Sequence, residues 1–261
     1  MQGKYYTTSV KPNFDILGNV AVAVGEVLFD WTPFEIPKGT ANLMGISAIV
    51  AGTNGADVAG TRDIELYFAK SVNGSAPPTL GDTGSPVTGI IAQQSRPHII
   101  DKSFLDGSGV RSSIHFISYN VWSYSGGSAN DKEDIKTILN NEDNYPGTTP
   151  GFQTIWVCGL AETDTFDFGT DVALNQAGNQ AISTSAVDLV TSGTDPRLCF
   201  AAGDELVSFV ASDGSSPKQI GKVVSMADAN SILVDAVAEA FDHTTEICNR
   251  NPLKLTLNMS Y

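Results

Sequence analysis

Residues 63–70, DIELYFAK, set Ile64, Leu66 and Phe68 on one side of an extended chain and Asp63, Glu65 and Tyr67 on the other. Successive side chains of a strand point to opposite faces, so this period of two is the mark of a strand with one face buried. The last nine residues, LKLTLNMSY at 253–261, repeat the pattern, with Leu253, Leu255, Leu257, Met259 and Tyr261 alternating against Lys254, Thr256, Asn258 and Ser260. Pro252 precedes them, at a position where a strand can start but not continue.

Working outward, the Val-rich run NVAVAVGEVLF at 19–29 predicts a strand closed by an irregular corner over Trp31–Pro37, whose two prolines suit an edge or a loop. LMGISAIV at 43–50 predicts another strand, followed by a loop with an Asn54-Gly55 turn signal. Residues 71–98 are dominated by Gly, Pro, Ser and Thr, which predicts a long exposed loop with a short apolar run at Val87–Ala92. IHFISYNVW at 114–122 and IWVCGL at 155–160 resume strand character. Between them, DKEDIKTILNNE at 131–142 places Ile135, Ile138 and Leu139 at helical spacing, with Asn130 or Asp131 as a cap. The stretch 163–193 is polar, with a weakly apolar Ala186–Val190, and supports no firm assignment.

Three short strands are expected over GDELVSFV at 203–210, QIGKVVSM at 219–226 and SILVDAV at 231–237, separated by turn residues at Asp213-Gly214 and at 227–230. That spacing suits a small barrel or meander. The fold class expected is therefore all-β: a β-sandwich (jelly-roll-like) with a second small β-barrel module near the C-terminus and one short helix. The expected organisation is a sandwich over residues 1–195, completed by the C-terminal strand 251–261, with a small inserted barrel over 196–250. Pairing of the terminal strand with the small barrel is the alternative, because periodicity does not reveal partners.

The 261 residues carry 15 Lys plus Arg against 29 Asp plus Glu, a formal net charge of −14. That sign opposes the counterion release that drives phosphate binding, so nucleic acid is not an expected partner. It also keeps a concentrated protein soluble by mutual repulsion. Met1–Val10 has no apolar core of a signal peptide, and no run approaches the length of a spanning helix, so neither export nor a membrane partner is expected. Cys158, Cys199 and Cys248 are odd in number and sit among apolar residues, which predicts buried, reduced thiols.

Several short motifs imitate catalytic ones. Asp82-Thr83-Gly84-Ser85 spells an aspartic-protease signature, but the chemistry needs two such turns sharing a proton, and a second copy is absent. Gly81–Pro86 imitates the nucleophile segment of chymotrypsin-like proteases with Thr83 in place of the serine, yet His98 and His115 both follow it, so the order of the triad fails. Asp167-Phe168-Gly169 spells a kinase magnesium motif without its companions. His243 and Cys248 lack the further ligands of a zinc site; Asp57, Asp63 and Asp164–Asp171 offer the oxygens a calcium ion takes, so a calcium site there stays open, though they match no twelve-residue calcium loop and solvated carboxylates are the default. Trp31, Trp122 and Trp156 are candidates for a sugar-binding platform, although aromatics in strand runs more often fill a core. Asn73 and Asn258 head formal glycosylation sequons that carry no weight without export. The sequence thus names no catalytic, cofactor-binding or metal residue, and no cofactor is expected.

Several phrases together resemble virion structural proteins of tailed bacteriophages, notably of marine phages. They are Lys38–Val50 running into Ala51–Gly55, Asp63–Ser71, Gly203-Asp204, Ile220–Val223, Asp228–Ile232 and Asn251–Leu255. The resemblance implies a capsid-associated role, such as a decoration or cement protein on the outer shell. It implies as partners the phage major capsid protein or other virion proteins, a homo-oligomeric state, and a location in the virion. Contacts are expected from loop 71–98 or the terminal segments. A tail- or fibre-associated carbohydrate- or receptor-binding module is the alternative.

Overall fold

The structure is a computed structural model that describes residues 4–14, 22–52, 63–87, 94–106, 116–122, 137–142, 145, 147–162, 174–176, 179–193, 195–209, 218–242 and 246–261. Its strands, in chain order, are β1 (Tyr5–Val10), β2 (Val27–Pro37), β3 (Ala41–Ala51), β4 (Ile64–Ala69), β5 (Ile99–Asp106), β6 (Phe116–Trp122), β7 (Thr137–Leu139) and β8 (Phe152–Ala161). They continue as β9 (Leu174–Gln176), β10 (Val187–Gly193), β11 (Glu205–Phe209), β12 (Lys218–Ser225), β13 (Ser231–Val234), β14 (Glu246–Asn249) and β15 (Leu253–Ser260).

Strands β4 and β15 show why alternation builds this fold. Ile64, Leu66 and Phe68 are buried while Glu65 and Tyr67 are half-exposed, and Leu253, Leu255, Leu257 and Met259 are buried against exposed Lys254 and Asn258. Each buried apolar side chain removed from water contributes about 1.5–3 kcal/mol, so these faces turn inward together. The outcome is a nine-stranded antiparallel sheet ordered β1-β15-β3-β6-β5-β4-β8-β2, with β7 also paired to β3. The sheet curls until β1 and β2, the two ends of this order, approach each other. The ring pairs Tyr6–Phe152 and Phe14–Phe29 bridge the approach. Opposite arms of one curled sheet thereby enclose the core that separate sheets would enclose in a sandwich.

The second body is a closed barrel of strands β10-β13-β12-β11-β14-β9 around Leu189, Leu206, Ile220, Ile232, Val234 and Ile247. It draws in β9 and β10, from the stretch that sequence patterning leaves unassigned. Val207 of β11 and Cys248 of β14 face away from the barrel interior and join the core of the curled sheet. Chain continuity then returns to that sheet, where β15 lies between β1 and β3.

Two local expectations change. The helix predicted over 131–142 is not what the described part shows: 131–136 lie outside the described residues, and Thr137–Leu139 pair with Leu43, Asn42 and Ala41 of β3. Alternation there buries Leu139 completely and leaves Ile138 54% exposed, whereas a helix would have put both on one side. Strand pairing overrides local helix preference. The predicted corner at Trp31–Pro37 is instead the continuation of β2. Its prolines are tolerated because β2 ends the sheet order, and two bulges absorb its irregularity. Helical elements among the described residues are short, such as the 3-10 turn Pro196–Leu198 capped by Asp195. No helix among them is long and apolar enough to cross a membrane.

Candidate functional surface

The Asp82 turn is a structural clasp. Thr83 is buried and its Oγ1 donates to the Leu28 carbonyl at 2.9 Å, while Gly84 N–H donates to the Val27 carbonyl at 2.8 Å. Asp30, on β2, accepts from Thr79 Oγ1 at 2.5 Å and from Leu80 N–H at 2.8 Å. The carboxylate of Asp82 is left exposed, with no second carboxylate turn beside it among the described residues. These bonds also correct the expected long exposed loop: over 71–87, Ser71, Leu80 and Thr83 are buried, and Leu80 and Val87 pack with Val27, Trp31, Tyr67, Cys158 and Leu160. The segment is a cover over the outer face of β2, β4 and β8.

The remaining sequence candidates disperse. His98 Nδ1 lies 3.0 Å from the Lys70 carbonyl and its ring is buried. His115, His243, Asp57 and Asp164–Asp171, including the Asp167-Phe-Gly169 motif, lie outside the described residues. Among the described residues no three His, Cys, Asp or Glu side chains are grouped to hold a metal. The three cysteines form no disulfide; Cys158 and Cys248 are buried and Cys199 half-buried. Burial pushes the Cys158 thiol well up and that of Cys199 to about 11, so both are protonated at neutral pH. Trp31 packs in the covered cluster, and Trp156 is buried with Tyr145 set edge-on at 4.9 Å. Both are engaged in packing; the Trp122 side chain lies outside the description.

The two bodies meet at a polar seam. Asp204 pairs with Lys11 Nζ at 2.8 Å and accepts from Asn249 Nδ2 at 3.1 Å and from Ala201 N–H at 2.9 Å. Asn251 accepts from Glu205 N–H at 3.1 Å and donates to the Pro12 carbonyl at 3.0 Å and Asn13 Oδ1 at 2.6 Å. Asp204, Asn249 and Asn251 are all buried, so burial of these polar groups depends on the mutual bonds. These bonds join the barrel to the curled sheet.

What distinguishes the surface is how charge divides across the sheet. The half formed by β2, β4 and β5 carries Asp30, Glu35, Glu65, Asp101, Lys102 and Asp106. There Glu65 accepts from Tyr67 Oη at 2.9 Å and from Lys102 Nζ at 2.5 Å, and burial followed by repulsion from Glu65 pushes the Glu162 carboxyl up. The other half, β1, β15, β3, β6 and β7, contains not one Asp or Glu, and Lys254 is its one charged residue.

Ladder register turns that composition into a surface. Outward side chains fall into cross-strand rows: Ser9–Thr256–Ser47, then Thr7–Asn258–Gly45, then Tyr5–Ser260–Asn42–Ile138, with Lys254 opposite Ile49 at one end. Thr7 Oγ1 and Asn258 Oδ1 are bonded at 3.0 Å. Tyr5 is 80% exposed, and Met44, Ile49 and Ile138 are large apolar side chains left open to solvent. Depletion of charge around exposed aromatic and Met side chains, here Tyr5 and Met44, is a mark of the centre of a protein contact surface. A scan of protein-family models finds no match to this chain, and neither does a search of curated proteins.

Proposed function

We propose that this chain is a non-enzymatic structural protein of a tailed-bacteriophage virion, a capsid decoration or cement protein that binds the major capsid protein or other virion proteins on the outer shell. The work is done by surfaces. The observation that carries the reading is the carboxylate-free face of β1, β15, β3 and β7, where Tyr5, Met44, Ile49 and Ile138 are exposed on a chain whose net charge is −14. Such a face joins protein to protein, while the acidic remainder repels packaged nucleic acid and keeps neighbouring copies soluble. Copies joined through that face meet a repeating shell lattice at several points at once, which favours attachment. The particle is supplied by the resemblance of short sequence phrases to virion proteins.

The test is to purify particles from an infected culture that expresses the chain and probe intact shells with an antibody against it. Labelling of the outer shell is expected. Particles free of the chain, or labelling confined to unassembled protein, would overturn the reading.

A further inference from the structure

We infer that the carboxylate-free face of β1, β15, β3 and β7 is the contact surface for a second copy of this chain. The inference deepens the reading that the chain acts through surface contacts, and rests on it. Three features of the face select a like partner.

The first is hydrogen-bonding character. Thr7, Ser9, Thr256, Asn258 and Ser260 carry hydroxyl or amide groups, each both donor and acceptor. A face built from such groups can satisfy a copy of itself. Carboxylates only accept and ammonium groups only donate, so a charged face meets its own copy with like against like. Lys254, the exception, sits in the end row opposite Ile49, from which its long stem reaches solvent.

The second is charge. Two molecules of net charge −14 repel, and approach is least opposed where neither presents a carboxylate. An acidic partner of any other kind would be drawn to cations, and this face offers one.

The third is shape. Gly45, in the middle row between Asn258 and the β3 bulge, leaves a dip: a Cβ built there meets nothing within 4 Å. Ile49, Ile138 and Tyr5 stand around it, exposed. Four adjacent strands make a patch of roughly 15 Å by 20 Å, the size of the centre of an isologous two-fold interface rather than its whole extent.

The test uses the full chain in sedimentation velocity over a concentration series, at low and at physiological salt. The wild type is expected to self-associate, and more tightly at the higher salt, which screens repulsion between the two acidic bodies. Gly45→Glu places a carboxylate at the centre of the face, where a Cβ meets nothing within 4 Å, and is expected to weaken association by at least about a hundredfold while circular dichroism and melting stay as in the wild type. Thr256→Asp, one row away, is the second variant, should Gly45→Glu lose its fold. Ala186→Glu adds the same charge on the barrel, where the residue is exposed, and is expected to leave association unchanged. A wild type that stays monomeric at both salts overturns the inference, as does a folded face variant that associates normally. Equal weakening by Ala186→Glu overturns it too, since net charge would then be the cause. A monomer that still labels shells would sink this inference alone, whereas a dimer absent from particles would sink the proposed function alone.

Discussion

The ring of Phe29 lies directly over Gly159, its register partner on the neighbouring strand: a Cβ built on the glycine would fall 2.3 Å from Phe29 Cε1. Phe29 is fully buried and faces Phe14 across the approach of β1 to β2, so closure of the curled sheet is built on a missing side chain. Gly159→Ala is expected to destabilise the protein by about 1–3 kcal/mol through overpacking. Phe29→Ala should cost about 3–5 kcal/mol through the cavity it leaves. In the double variant the alanine methyl occupies part of that cavity, so the cost should fall below the sum of the two. Urea unfolding midpoints of the three variants check this, and strict additivity would contradict the packing described.

At the other end of β2, Glu35 accepts from Thr148 N–H and, at 2.7 Å, from Thr148 Oγ1, and from Thr149 N–H at 3.1 Å. Hydrogen bonds from the Thr149 and Thr148 side chains, with those from the two amides, hold its carboxyl at about 2, below the ordinary value of 4.5. A depressed carboxyl stabilises the fold above its unfolded value and loses that contribution as pH falls toward the folded one. The turn at 147–150 should therefore be held fully above about pH 5 and loosen as pH drops from there to about 2. Amide exchange at Thr148 and Thr149, followed against pH by NMR, should show that loss of protection. Glu35→Gln should flatten the profile; an unchanged profile would mean the carboxylate does not hold the turn.

Asp204 and Asn251 set a second stability prediction. Removing Asn251 by Asn251→Ala strands the Glu205 N–H and the Pro12 carbonyl, at a cost of about 1–3 kcal/mol. Asp204→Ala should cost more than Lys11→Met, because the Lys11 side chain is 38% exposed and can turn to water, whereas Asn249 Nδ2 and Ala201 N–H lose a buried acceptor. Chemical denaturation ranks the three; Lys11→Met as the costliest would refute this account.

Thiol reactivity provides a fourth check. Iodoacetamide at neutral pH should leave Cys158 and Cys248 unlabelled in the folded chain and modify Cys199 slowly, with a rate that climbs as pH rises toward about 11. Mass spectrometry of timed samples reads all three. Rapid labelling of Cys158 at neutral pH would contradict its burial between β2 and β4.

Legibility in the sequence followed range of interaction. Ile64–Phe68 and Leu253–Met259 announced their buried faces because the alternation is local and each residue's side is fixed by its neighbours. Ile138 and Leu139 misled because adjacent apolar residues suit a helix until β3 supplies a partner ladder. The Asp82 turn was recognised as a turn, yet the clasp to Leu28 and Asp30 depends on residues about fifty positions earlier. The carboxylate-free face, as one surface, was not visible at all. Thr7 and Asn258 are 251 positions apart, and neither carries a motif.

By itself, then, the sequence determined the class of the fold and the poverty of charge in particular strands, since both are properties of short windows. Which strands stand side by side was decided only by the tertiary structure. Placing β15 between β1 and β3 gathers separate uncharged segments into one surface, and register alone decides that Ser9, Thr256 and Ser47 form a row while Leu255 and Ala48 face the core. The physical reason is that ladder hydrogen bonds are the same for every residue, so partner choice rests on how the buried faces pack together, which no single segment contains.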